Sequence, residues 1–484
     1  MESNHSRVIK NYIYNTAYEL LRLFAPLITA PYVSRVLGAD GLGTYAYPQS
    51  IASYFVLVAT VGSGLYGKRE IAFAQNTAQK RSDIFWQIVV FRCISTTISA
   101  ILFYLLFCRK GPYVVIYRIL ILEIIAIAAD ISWFFMGMEN FRATVIRNMS
   151  VKLAGICLVF LLVKKAEDVP VYAACLVLPT IVGNLSLWLS ARKYITRPTE
   201  SLFAGILRHL KPIFSLFIPQ VAIEVYAVLD KTMIGSISPS IAQVGYYTQS
   251  QKIIRIVLLL VTSLGTVMFP TMAAAFAQGR HEQINASIKR SFRFMFMLAF
   301  ALMFGICAVS GRFTPVFFGK GFEPVAPLMV IISPIIVFIG MSNVIGRQYL
   351  LPTKQQNAFT VSVCVGAVIN FCLNMILIRK YNAFGAVVAT VIAELSVTLV
   401  QIWYVRTQLP LKEFLAPSLR YSIEGGIMFL AVWGIGKILP AERVFSLLIM
   451  IAVGIGVYVT ELVVTKDDML WEGIEIVKKK LKKA

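Results

Sequence analysis

Pro31-Tyr32-Val33-Ser34-Arg35-Val36-Leu37-Gly38 and Gly41-Leu42-Gly43-Thr44-Tyr45-Ala46-Tyr47 close one long apolar run and open the next, which ends near Gly67. A chain that stays apolar for some twenty residues, meets a charged, glycine-rich corner and turns apolar again reads as a helical hairpin. A looser copy lies about 200 residues further on. There Leu229-Asp230-Lys231-Thr232-Met233-Ile234-Gly235 leads through a longer corner to Val244-Gly245-Tyr246-Tyr247-Thr248-Gln249-Ser250. Each copy has a basic residue three or four positions before a glycine, a turn, and then glycine and aromatics entering the next helix. The pattern predicts two related lobes, each opening on such a hairpin.

Of the 484 residues, 58% are hydrophobic and only 14% are charged. Soluble domains hold about 45–50% and about 25%. Apolar runs of membrane-crossing length recur from end to end, so the chain reads as a polytopic helical membrane protein. Residues 1–11 are polar and the first apolar run is too long for the h-region of a secretory signal, so none is expected. Lys and Arg outnumber Asp and Glu by 46 to 24. In a soluble chain that excess would point to nucleic acid. Here it suits basic cytoplasmic loops, and no nucleic-acid partner is expected. The seven cysteines lie in or at the ends of apolar runs without a CxxC pair, and read as small apolar residues. His5, His209 and His281 are the only histidines and fall in polar stretches, which argues against a histidine triad, a zinc site and a membrane hydrolase. No P-loop occurs.

About fourteen spans are expected, at 12–36, 43–66, 84–107, 113–136, 143–163, 169–190, 212–235, 242–272, 289–310, 324–350, 357–378, 383–404, 418–438 and 444–464. Placing both termini and the loops after even-numbered spans in the cytoplasm gives that side roughly twenty-six Lys and Arg, against roughly eleven opposite. The expected organisation is an N-terminal six-helix lobe (1–200), a second six-helix lobe (201–410), helices 13 and 14 (411–465) and a basic cytoplasmic tail (466–484). Trp471, Ile474 and Val477 are spaced to form one apolar face of that tail. An interfacial helix and a solvated tail are both consistent with it. Prolines at 26, 31, 48, 219, 270 and 334 lie inside spans and are expected to kink them.

Ionisable groups at membrane depth carry the functional information: Glu19 and Arg22, Arg92, Glu123 and Asp130, Lys152, Glu224, Lys252 and Arg255, and Glu394. A mid-membrane Asp, Lys or Arg costs about 2.5–3.5 kcal/mol on insertion scales, so these groups must face one another or a watery cavity. Structural readings stand beside the functional ones. Glu19 and Arg22 share a helix face and can pair. Arg92 lies near a span end and can snorkel. Glu394 fits a buried structural partner. Arg22, Lys252 and Arg255 have least scope to snorkel, and Lys252 with Arg255 makes a two-cation face. Cations in a low-dielectric wall predict an anionic substrate, phosphate first, because Arg binds it bidentately. The tyrosines flanking the corners, Tyr32, Tyr45, Tyr47, Tyr54, Tyr66, Tyr226, Tyr246 and Tyr247, suit an interfacial aromatic belt or platforms for sugar rings.

The 31–47 corner, Gly62-Ser63-Gly64-Leu65-Tyr66-Gly67-Lys68-Arg69-Glu70, Asp230-Lys231 with Met233-Ile234-Gly235, and Gly245-Tyr246-Tyr247 resemble the bacterial polysaccharide-transporter family. These are the Wzx-type repeat-unit flippases of the multidrug/oligosaccharidyl-lipid/polysaccharide exporter superfamily. The resemblance extends over nearly the whole chain. It implies an all-α membrane fold, two six-helix lobes in a V around a central cationic cavity plus two C-terminal helices. It implies that undecaprenyl-pyrophosphate-linked oligosaccharide repeat units are moved across the cytoplasmic membrane for capsule, exopolysaccharide or O-antigen assembly. Polysaccharide polymerase and chain-length regulator proteins are the partners it suggests, alongside membrane lipids.

By the same resemblance Arg22 falls where related flippases carry cavity arginines, and Arg255 fits the eighth-helix role. Lys252, Arg92 and Lys152 complete the expected phosphate-binding set. Arg35, Asp230 and Lys231 match the motif at the outer rim, as gate or structural residues. No cofactor is expected; H⁺ or Na⁺ antiport through Asp130, Glu224 or Glu394 stands open. The rival expectations are a lipid-linked peptidoglycan-precursor flippase, a multidrug antiporter of the same superfamily, and a membrane glycan polymerase, which the short external loops disfavour.

Overall fold

The computed structural model describes residues 4–440 and 443–481; the side chains of residues 4–20 and of some further helical positions, Arg22 and Pro219 among them, lie outside the description. The described chain is built from helices, and among its described residues nine helical stretches are long and apolar enough to cross a bilayer. Large apolar side chains point outward along them, such as Leu102, Leu105 and Leu106, or Val182, Leu185 and Leu189. In water such faces would form patches far beyond those of soluble monomers; in a bilayer they are the lipid surface. The protein is a multi-pass membrane protein, and its described residues form an all-helical fold. By contacts the chain divides into Met1–Gly245 and Tyr246–Ala484.

The first unit begins with α1 (Asn4–Thr60), which holds the first expected span and most of the second. Its break falls at Gly38, with φ 64° and ψ −177°, and not at Pro31 or Pro48. Only glycine adopts that conformation cheaply, so the glycine of the motif breaks the helix. Then come α2 (Ser63–Phe73), α3 (Ala78–Phe107), α4 (Val114–Ala129), α5 (Ser132–Gly137), α6 (Phe141–Leu162), α7 (Val169–Ala191) and α8 (Leu202–Ile237). Stretches expected as loop are helical here: α2 continues to Phe73, and α8 begins well ahead of the expected residue 212. The segment before α8 is held to α3 by Asp83, whose carboxylate accepts hydrogen bonds from Thr199 N at 2.6 Å and Thr199 Oγ1 at 3.0 Å. The repeat-based division after residue 200 therefore differs from the division by contacts, because α8 packs on α1, α2 and α3.

The two copies of the glycine motif meet. A Cβ on Gly43 would lie 2.0 Å from Ile241 O, one on Gly245 would lie 2.2 Å from Ala39 O, and one on Gly235 would lie 2.1 Å from the Tyr47 ring. Tyr47 Oη lies 3.2 Å from Ser236 Oγ, and Tyr54 Oη lies 3.1 Å from Thr232 Oγ1, which donates to Ser50 Oγ at 2.9 Å. Approach this close leaves no room for a side chain at positions 43, 235 and 245.

The second unit contains most of α9 (Ala242–Ala277), then α10 (His281–Phe317), α11 (Val325–Ile332) and α12 (Ile335–Ser342). The last two are parted at Ser333-Pro334, as the proline predicts, and α12 runs into a π-helical stretch, Asn343–Leu350. There follow α13 (Gln356–Tyr381), α14 (Ala383–Val405), α15 (Leu411–Leu415), α16 (Pro417–Ile438), α17 (Val444–Val464) and α18 (Asp468–Leu481). The α16–α17 pair packs on α10, and α18 is tied to α10 by Arg293–Asp468 and Arg290–Glu472 ion pairs, both at 2.6 Å.

Gly245→Val should cost about 1–3 kcal/mol, the usual penalty of overpacking. Gly64→Ala, at a helical glycine with nothing within 4 Å of a built Cβ, should leave stability unchanged or slightly raised. Thermal unfolding of both variants in one detergent checks the contrast.

Candidate functional site

The polar centre of the first unit is built on a broken helix. α4 stops at Ala129 and α5 starts at Ser132, so carbonyls at the end of α4 lose their helical donors within an apolar stretch. Side chains replace them. Asn184 Nδ2 donates to Ala126 O at 2.8 Å, Trp188 Nε1 to Ala129 O at 2.8 Å, and Trp133 Nε1 to Asp130 O at 3.1 Å. Arg92 also donates to Asp130 O. The Asp130 carboxylate accepts Ser132 N at 3.0 Å, which holds the first turn of α5, and it faces two guanidinium groups: Arg147 at 3.4 Å and Arg92 at 3.8 Å. Two cations around one carboxylate leave a net positive centre whose geometry is fixed by the break.

The structure thus brings together two of the expected site residues, Arg92 and Asp130. Arg92 is only 2% exposed, so it turns inward to the break and does not snorkel. Of the others, Lys152 is exposed on α6 and Arg35 is exposed on α1, its Nη1 donating to Pro31 O at 3.5 Å. Asp230 is buried and Lys231 half-buried on α8, and Glu224 is exposed on the same helix. Lys252 is half-buried and Arg255 exposed, three residues apart on α9 and so on one face. Among the described residues Lys252 has no ion-pair partner. Glu394 is half-buried on α14. Glu19 and Arg22 lie outside the described side chains.

Several polar residues that matter are not singled out by the sequence reading. Arg147 completes the Asp130 cluster. Arg312 on α10 donates to Leu439 O at 2.9 Å and Pro440 O at 2.7 Å, and also to Gly436 O, closing the end of α16. Arg420 binds Glu424 at 2.8 Å and Asp467 at 3.2 Å, and Tyr421 Oη donates to Asp467 at 2.7 Å, which joins α16 to the start of α18. Their signal is a charge inside or at the edge of an apolar span, but several of the partners that explain them are distant in sequence.

His209, expected in a polar loop, is 6% exposed near the start of α8. Its Nδ1 lies 2.7 Å from Tyr66 Oη and its Nε2 lies 2.8 Å from Gln87 Oε1. An amide oxygen only accepts, so Nε2 carries the proton and Nδ1 accepts from the tyrosine, a neutral ring. Burial pushes the His209 pKa down, with Glu70 opposing. The unfolded chain therefore binds the proton more readily than the folded one, so this contribution is complete above about pH 6.5 and is lost as pH falls below it. The melting temperature of the wild type should drop on acidification more steeply than that of His209→Gln, measured between about pH 5 and 8.

The chain is similar to known transporters in sequence and in fold. It is 23% identical over 411 residues to the putative O-antigen transporter of Escherichia coli (strain K12), covering 84% of this chain and 98% of that one. Among solved structures it is similar to the lipid II flippase MurJ in an inward closed conformation, with a TM-score of 0.75 at 17% identity, covering 96% of this chain and 100% of that one. An inward-facing multidrug resistance MATE family transporter of the MOP superfamily gives a TM-score of 0.59 at 13% identity, covering 80% and 97%. The model of the polysaccharide biosynthesis protein family matches residues 8–276, more than half of the chain. The protein belongs to the polysaccharide biosynthesis protein family.

Proposed function

We propose that the protein is a flippase of the cytoplasmic membrane that carries undecaprenyl-pyrophosphate-linked oligosaccharide repeat units from the inner to the outer leaflet, for capsule, exopolysaccharide or O-antigen assembly. Its family, the putative O-antigen transporter as relative and a fold shared with the lipid II flippase MurJ support this reading. The observation that carries it to the chemistry is the Lys252–Arg255 face on α9, where one cation is exposed and the other lacks an ion-pair partner among the described residues. Fixed cations of this kind hold phosphate oxygens well.

In this reading Lys252 and Arg255 hold the pyrophosphate, Arg22 is assigned phosphate binding from its sequence position alone, and the polyprenyl tail stays in lipid. The packed corners around Gly43, Gly235 and Gly245 act as the outer gate, which must part for release. Both termini face the cytoplasm, where the basic loops then lie. The inside-negative potential helps expel the anionic headgroup by about 2.3 kcal/mol per charge per 100 mV. Antiport of H⁺ or Na⁺ through Glu224 or Glu394 is the accompanying proposal. Asp130 is bound to two arginines and to Ser132 N, which supports a structural role for it. The chain acts as a transporter and catalyses no covalent step; a polymerase and a chain-length regulator are its proposed partners.

Arg255→Ala and Arg22→Ala should abolish surface polysaccharide and leave lipid-linked repeat units on the cytoplasmic face, with the protein still in the membrane. Normal surface polysaccharide in both variants would remove the assigned role. Lysis on depletion, in place of polysaccharide loss, would point to a peptidoglycan precursor.

A further inference from the structure

A cleft of about 1020 Å³ runs between α6 and α7, entirely within the first unit. One end is basic and hydroxylated: Arg142, Arg147 and Lys193 line it with Ser150, Ser186 and Ser190. The other end is apolar, walled by Val151, Ala154, Leu158, Leu178 and Val182. No acidic side chain is among the described lining residues. Arg147 reaches Asp130 behind the wall, but Asp130 is shared with Arg92, so the basic end keeps a positive excess. Arg142 and Lys193 are exposed and have no ion-pair partner among the described residues.

The cleft opens outward through exposed Ile146, Leu178 and Val182. Its floor is a close approach of the two helices, where a Cβ on Gly183 would lie 2.2 Å from Val151 and 3.0 Å from the Arg147 stem. A charged end joined to a hydrocarbon-lined trough matches an amphiphile with an anionic head and an apolar chain. The three cations and three hydroxyls suit a phosphodiester, and the apolar walls suit an acyl chain.

We propose that this cleft seats one anionic phospholipid of the surrounding membrane, its phosphate between Arg142, Arg147 and Lys193 and an acyl chain along α6 and α7. The lipid is then the outer partner of the cluster that steadies the break between α4 and α5. The site shares no residue with the Lys252–Arg255 face and does not depend on which substrate the protein moves.

The test uses the full-length purified protein and native mass spectrometry with dioleoylphosphatidylglycerol or dioleoylphosphatidylcholine. Wild type should retain the phosphatidylglycerol in preference to the phosphatidylcholine. Arg142→Gln with Lys193→Gln should weaken that binding about fivefold for each cation removed, and Ala154→Trp, which fills the trough, should also weaken it. Melting temperatures in lipid-free detergent report whether the variants fold. Independently, a photoactivatable phosphatidylglycerol in wild-type nanodiscs should label peptides of α6 and α7. Equal phosphatidylglycerol binding in wild type and folded variants, labelling confined to other helices, or displacement of phosphatidylglycerol by undecaprenyl phosphate would each overturn the assignment.

Discussion

In hydrocarbon, a carbonyl oxygen that loses its helical donor finds no water to replace it, and each such orphan costs several kcal/mol. Much of the polar chemistry of this protein answers that constraint. Where α4 breaks, Asn184, Trp188, Trp133 and Arg92 supply the donors, and Asp130 holds the first turn of α5. Where α16 ends, Arg312 does the same for three carbonyls. Arg118 donates to Cys108 O at 3.2 Å just past the end of α3.

This separates the charges at membrane depth into two kinds. Arg92, Arg147 and Arg312 are engaged with backbone or carboxylate groups and hold broken or finished helices in shape. Lys252 has no ion-pair partner among the described residues and sits, with Arg255, within a helix that runs on past them. A cation in an apolar span is therefore not by itself a sign of substrate. The question is whether a local break in the backbone already accounts for its donors.

The glycines of the repeated hairpin show how a motif acquires a physical reason. Gly38 is needed for its positive φ, whereas Gly43, Gly235 and Gly245 are needed because another segment passes 2.0–2.2 Å from where a Cβ would stand. The first requirement is local and leaves a trace in any sequence window. The second joins segments some 200 residues apart and is visible only once both corners are placed.

From its residues alone this chain declares a membrane protein of many helices, a break in the glycine-rich corner that begins at Gly38, the break at Pro334 and a resemblance to polysaccharide transporters. Those features follow from hydrophobic run length, local dihedral limits and short motifs, all of which act over neighbouring residues. The extension of α8 ahead of residue 212, the burial of His209 between Tyr66 and Gln87, the gathering of Arg92 and Arg147 on Asp130 and the cleft between α6 and α7 were decided by the tertiary structure. Each depends on which distant side chain arrives to satisfy a donor, an acceptor or a charge, and sequence spacing carries no record of that.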